Sequence, residues 1–468
     1  MSSPSQPSDP ADLDVVDAAR SLADRSLSAT ELVEACLARI DARNGTHSHN
    51  GDPESVNAWV RVYADDARAD AARADDRLSA RSVADLGPAP ALCGIPVGLE
   101  DLYGVAGKPL TASSRLLAQV PELDSALWDR LRTAGMILLG HLHTHEFGAG
   151  ATTDQVANPW DPLHSAGGSA GGAAAALAAR MVPAAAGSDT FGSLRIPSAL
   201  CGISAFKPTR GVVPLDGAVP LCPTLDHAGP MARTVADCAL LFGAMAGTLD
   251  AGAATALPLA GRRIGRSPQA ATVALDPDVA DGYFGAIDRC IELGASVVDV
   301  DEAPPTDVLG DFFNVFGAEI LPFHGRFESF RGLYRPSVRG LIEQSERTPL
   351  TAHAMAAAQT RRRHTEATWM EWFAQHNVFA LIEPTVPVVA PTRGAGYEQF
   401  GTQLRLGALS HYWNWTGFPV VSLPAGVGGR SGLPVGVSLI GPARCDNEIL
   451  GAGMALQAAL GVPRPPGL

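Results

Sequence analysis

The chain has 468 residues, 46% hydrophobic and 18% charged, a globular balance with material for a large core and too little charge for a disordered chain. Its formal net charge of −14 repels polyanions, which excludes nucleic acid and an anionic membrane surface and leaves small neutral or cationic molecules as partners. Glycine (49) and proline (36) are scattered without a period, which excludes collagen-like and repeat architectures, and only Lys108 and Lys207 among the 35 basic residues are lysine.

The polar, acidic residues 1–12 lack the apolar segment of a signal peptide and are expected to form a disordered lead-in to a single domain over 13–468. Ser28-Ala-Thr-Glu31 has capping-box spacing and opens an amphipathic helix through Leu32, Val33, Cys36 and Ile40. Val56 to Tyr63 reads as a strand, and Asp65 to Ala80 as a solvent-facing helix. Gly94 to Leu99 reads as a buried strand, and Met136 to Gly140 as another, preceded by a helix from Ser125 to Ala134. This alternation argues an α/β fold through about residue 250, with its core motifs over 90–240. The apolar stretch Ala173 to Ala186 contains Arg180 and Pro183 and is too short to span a bilayer.

Beyond a Gly/Ala-rich boundary at 251–260 the spacing predicts a strand at Arg263 to Arg266, a helix at Asp278 to Leu293 and a strand at Ser296 to Val300. Val308 to Trp372 reads as a mostly helical insertion on the substrate side. Phe379 to Ile382, Val420 to Leu423 and Pro434 to Ile440 read as further strands. The seven cysteines, Cys36, Cys93, Cys201, Cys222, Cys238, Cys290 and Cys445, form no C-x-x-C pair, so reduced thiols and a cytoplasmic location are the plain expectation.

Chemistry concentrates in Ala166-Gly-Gly-Ser-Ala-Gly-Gly172 and Gly187-Ser-Asp-Thr-Phe-Gly-Ser-Leu-Arg-Ile-Pro197. Each places a serine, Ser169 or Ser193, in a glycine-rich turn near a helix N-terminus. Such turns aim several N–H groups at one point, as an oxyanion requires. Alone, a Gly/Ser loop reads equally as a flexible turn or a phosphate loop, and the Gly-Lys-Ser/Thr of a nucleotide-binding loop is missing.

The ordered set is more specific. Gly94-Ile-Pro-Val-Gly98, Glu146-Phe147, Asn158-Pro-Trp-Asp161, Gly167 to Gly172, Asp189 to Pro197, Cys201-Gly202, Lys207-Pro-Thr209, Asp226 to Asp237, Pro384-Thr385 and Gly417-Phe-Pro419 together resemble the amidase signature family of serine hydrolases. The resemblance implies an α/β/α sandwich around one large mixed sheet, with no metal and no cofactor. It implies Ser193 as nucleophile, Ser169 as a bridging serine beside a cis peptide bond, and an oxyanion hole of backbone N–H groups over Thr190, Phe191, Gly192 and Ser193. It further implies a small amide or ester substrate, and it leaves a homodimer open. The transamidating subunit that supplies ammonia to aminoacylated tRNA shares these motifs.

The pattern breaks where the family carries its proton-accepting lysine. Here the segment reads Gly94-Ile-Pro-Val-Gly-Leu-Glu100-Asp101. Glutamate, with an ordinary pKa near 4.3, is a weaker base than a neutral buried lysine, so Glu100→Lys is expected to raise amide turnover. Ala170 replaces the usual second serine, Ser188 a threonine, and Phe191 a Gly or Ala. Three readings stay open: a hydrolase with Glu100 as an altered base, an acyl-transfer enzyme forming an amide or ester, and a silent or inactivated relative that binds a ligand or partner.

The remaining candidates have plainer alternatives. Gly167 and Gly168 would let a substrate approach, His143 or His145 would contact it, and Tyr412, Trp413, Asn414 and Trp415 would line an aromatic acyl pocket, although these four read equally as core. Asp189 and Arg195 are expected to form an ion pair that holds the loop, and Lys207 to sit buried as an ion pair or carbonyl clamp. His141, His143, His145 and Glu146 alternate on a strand end, a spacing that could hold zinc but reads more simply as polar packing. Lys108 reads as a solvent-exposed loop residue, and Arg361-Arg-Arg363 as a solvated helix face.

Overall fold

Strong local signals form as read. Ser28 caps the helix Ala29–Arg43 by accepting from Glu31 N, while the Glu31 carboxylate accepts from Ser28 N, satisfying two otherwise orphaned donors. The computed structural model describes residues 9–52, 54–80, 92–248, 254–300, 303–394 and 399–467. Residues 1–8 of the expected lead-in, 90–91 of the core-motif span and 251–253 of the expected boundary lie outside them. The rest of the lead-in is ordered. Pro10–Asp12 form a short 3-10 turn capped by Asp9, and Arg39 pairs with both Asp9 and Asp12.

Eleven of the strands join in one sheet. In chain order the strands are β1 (Trp59–Val62), β2 (Pro96–Glu100), β3 (Ile137–Leu142), β4 (Ala157–Asn158), β5 (Asp161–Ser165), β6 (Ala184–Asp189), β7 (Ser204–Lys207), β8 (His227–Ala232), β9 (Arg263–Arg266), β10 (Ser296–Asp299), β11 (Ala380–Pro384), β12 (Val420–Val427) and β13 (Pro434–Ile440). The sheet order is β1-β3-β2-β6-β8-β7-β12-β13-β11-β9-β10, and β4 and β5 form a separate ribbon. β2 runs parallel to β3 and β6, β9 runs parallel to β10 and β11, and the other neighbours are antiparallel. This is the expected mixed α/β sandwich.

The central strands read as continuous small or apolar residues because helices cover them. β2, β3 and β8 are buried along their whole lengths, as is the helix Gly171–Ala178 that packs on β2, β6 and β8. Arg195–Cys201 packs on β7, β12 and β13, while Val235–Ala246 and Asp446–Leu460 pack together and cover β7, β8 and β12. The parallel register beside β2 sets Gly98 against Ala185 and Leu99 against Ala186. It thereby brings Glu100, at the end of β2, beside Gly187 and Ser188 of β6.

The stretch after β10 supplies three helices, Leu309–His324, Pro336–Arg347 and Ala352–His376. One expectation fails here. Arg361 pairs with Asp311 at the surface, but Arg362 is buried, donating from Nε to the Trp415 carbonyl at 2.9 Å and from Nη1 to Thr224 Oγ1 at 3.0 Å. Its neighbours in sequence point to solvent; helical periodicity turns Arg362 inward, where it ties the long helix to the core. No described helix is long and apolar enough to cross a membrane.

Candidate active site

Ser193 lies between the end of β6 and the helix Arg195–Cys201, at the floor of a cavity of about 1050 Å³. The turn before it requires glycine. Gly192 has φ +121°, and a Cβ there would meet Ser410 Oγ at 2.2 Å. Among the described residues the Ser193 hydroxyl makes no hydrogen bond, and it faces the cavity.

The loop's shape comes from Asp189. Its carboxylate accepts from Gly192 N at 2.9 Å and Leu194 N at 3.3 Å, from Arg195 through Nε and Nη2 at 2.9 Å each, and from Asn414 Nδ2 at 2.8 Å. Burial pushes the Asp189 pKa up, but Arg195, with help from Lys207 and Asn414, outweighs it and holds the carboxyl below its ordinary value. The Asp189–Arg195 pair therefore forms as the sequence led us to expect. Asn414, which also bonds Arg195 at 2.7 Å, belongs to this clamp and not to the acyl pocket expected of residues 412–415.

The same clamp corrects part of the expected oxyanion hole. The Gly192 N–H is committed to Asp189 because an adjacent ionised carboxylate is the strongest acceptor in reach. The N–H groups of Phe191 and Ser193 make no hydrogen bond among the described residues. Thr190 turns its hydroxyl to Asp226.

Behind Ser193 lies a second buried carboxylate. Glu100 Oε1 accepts from Thr144 Oγ1 at 2.6 Å and Ser169 Oγ at 2.8 Å, and Oε2 accepts from Ser188 N at 2.6 Å and Ser188 Oγ at 3.0 Å. The Gly168–Ser169 peptide is cis. Ser169 is wholly buried, and among the described residues its hydroxyl bonds Glu100 and not Ser193. Burial raises the Glu100 pKa above its ordinary value, and the bonds from Thr144, Ser188 and Ser169 pull it only partly back.

Four expected substrate contacts lie outside the cavity. Gly167 and Gly168 face backbone: a Cβ would stand 2.8 Å from Pro197 Cα in the first case and 2.4 Å from the Thr152 carbonyl in the second. Their glycines serve close chain packing. His143 is buried against Ser113 Oγ, at 3.1 Å from Nδ1. Trp413 is fully buried and donates to Glu383 Oε1 at 2.6 Å, so it belongs to the core. Lys207 donates to the Pro208 carbonyl at 3.1 Å, a carbonyl clamp, with its pKa lowered by burial. Lys108 is in a surface ion pair with Asp66.

The residues that do form the cavity come from distant segments. His145 and Gly148 to Ala151, then Phe312, Phe313 and Phe316, then Leu341, Phe400 and Gln403 contribute to its lining, with uncharged polar side chains from Asn314, Gln344 and Thr348 among the others. The histidines of the strand end diverge. His141 bonds Tyr63 and the Tyr103 carbonyl, and no group of three or more described His, Cys, Asp or Glu is disposed to hold a metal. Hydrophobic spacing alone marks these Phe positions as core, so only their convergence above Ser193 reveals them.

Comparison with known proteins agrees with this geometry. A subunit of glutamyl-tRNA(Gln) amidotransferase from Chloroflexus aurantiacus is 34% identical, with 95% of this chain and 96% of the relative covered. The solved structure of an amidase superposes with TM-score 0.84 at 27% identity, covering 96% of this chain and 100% of the other. That of 6-aminohexanoate cyclic dimer hydrolase gives 0.82 at 26% identity, covering 97% and 98%. A family model described as Amidase matches residues 31–450, and the chain accordingly belongs to the amidase signature family.

Proposed function

We propose that the protein hydrolyses the C–N bond of a small carboxamide through an acyl ester on Ser193. The observation that carries this reading is the Ser193 hydroxyl at the cavity floor, beside the uncommitted N–H groups of Phe191 and Ser193. Ser193 Oγ attacks the carbonyl carbon, and those N–H groups receive the negative charge that develops on its oxygen. The Ser193 proton passes to Ser169 Oγ as Ser169 gives its own to ionised Glu100. This transfer requires the Ser169 and Ser193 hydroxyls to come within hydrogen-bond distance in the substrate complex. The C–N bond breaks as the nitrogen takes the proton back, and the amine leaves. Water then attacks the ester, its proton follows the same path, and the carboxylic acid is released.

Burial favours this role. A carboxylate whose pKa is raised towards the working pH is a stronger base than an exposed one. The likeness to an amidase and to a hydrolase of a cyclic amide dimer supports hydrolysis. The likeness to glutamyl-tRNA(Gln) amidotransferase subunits favours a second reading, one component of an amide-transferring assembly. Among the described residues the seven cysteines form no disulfide, which supports a cytoplasmic location.

Ser193→Ala is the direct test. It should abolish turnover and the mass increment left by a fluorophosphonate, with the thermal midpoint within a few degrees of wild type. Labelling that survives the change removes Ser193 from the mechanism.

A further inference from the structure

The cavity above Ser193 also specifies what it accepts. Phe191, two residues before Ser193, stands in an aromatic wall, with ring centroids 5.4 Å from Phe312 and 5.8 Å from Phe313. Phe313 continues the wall to Phe400 at 5.7 Å. Behind Phe191 the His411 ring stacks at 5.5 Å and 28°, fixing the plane of the Phe191 ring. No Asp, Glu, Lys or Arg among the described residues lines the cavity. Its titratable member, His145, has its pKa lowered to about 3 by burial and is neutral.

A charged substrate group entering here would lose water and find no counter-charge, a cost that ordinary packing does not return. A planar apolar group would meet the Phe side chains that line the cavity, where offset or edge-to-face aromatic contact is favourable. We infer that the acyl group taken up at Ser193 is uncharged and aromatic, that of an aryl or arylalkyl carboxamide or ester. This inference rests on the seryl-acyl reading for the chemistry, but the recognition it describes does not need the nucleophile. Free glutamine, which carries an ammonium and a carboxylate, does not match this lining.

Binding to the Ser193→Ala protein separates the two ideas. Calorimetry with 4-phenylbutyramide, butyramide and glutamine should show the aryl amide bound at least about tenfold more tightly than either other ligand. Phe313→Ala should erase most of that preference, and Phe400→Ala, at the exposed end of the wall, should reduce it without disturbing the fold. Equal binding of all three amides, or preference for glutamine, overturns the inference even where fluorophosphonate labels the wild-type serine. Preference for the aryl amide with no labelling of wild type sustains the pocket assignment and defeats the seryl-acyl mechanism.

Discussion

Two buried carboxylates flank Ser193, and they are held in opposite ways. Asp189 faces a guanidinium, an amide side chain and two backbone N–H groups, and its pKa is lowered. Glu100 faces three hydroxyls and one N–H with no cation, and its pKa is raised. Both are fully buried, so burial alone does not decide the direction. The presence of a cation does. The first arrangement fixes a loop; the second surrounds a carboxylate with hydroxyls that can turn, as the proposed proton acceptor requires.

The contrast is broken most severely by removing the cation. Arg195→Met leaves Asp189 ionised and unpaired in the core, and should cost about 3–5 kcal/mol of stability by denaturant titration. A loss under about 1 kcal/mol would mean that the N–H and Asn414 bonds suffice without charge.

The Glu100 side is tested by turnover. Glu100→Gln keeps the shape but removes the acceptor, and amide hydrolysis should fall by about 10²-fold or more, on the order of 3 kcal/mol in the barrier. Motifs alone favour a gain for Glu100→Lys. The structure favours a loss, by at least about tenfold, because four donors, the hydroxyls of Thr144, Ser169 and Ser188 and the Ser188 N–H, converge on the two carboxylate oxygens, and a neutral amine offers them a single lone pair. A rise in amide turnover with lysine would make Glu100 a weakened remnant of the usual base.

The smallest effect is in pH dependence. Glu100 holds its proton to higher pH folded than unfolded, so its contribution is complete below the ordinary glutamate value and is lost as pH rises through the raised one. Asp189 runs the other way, present above the ordinary aspartate value and lost as pH falls through its lowered one. The stability of Glu100→Gln relative to wild type should therefore grow as pH rises from about 4 towards neutrality, by at most about 1.4 kcal/mol per unit. Thermal melts across that range check the sign; a gap that shrinks with pH would place the Glu100 pKa below its ordinary value.

The sequence determined the family, the mixed sheet, the two glycine-bounded serines, the Asp189–Arg195 pair and the glutamate at position 100. These are local: each motif is contiguous, and glycine, cap and apolar spacing act over a few residues. The tertiary structure decided the rest. It drew Arg362 into the core, moved Trp413 and His143 out of the expected pocket, and added Asn414 to the loop clamp. It also gathered Phe191, Phe312, Phe313 and Phe400 into one wall. A phenylalanine that lines a cavity and one that fills a core have the same local pattern, and only long-range packing leaves one of them facing space. For Glu100 the residue type was legible in the chain. So was its link to the bridging Ser169, through the resemblance; its partners Ser188 on β6 and Thr144 after β3 were not, since strand register brings them together.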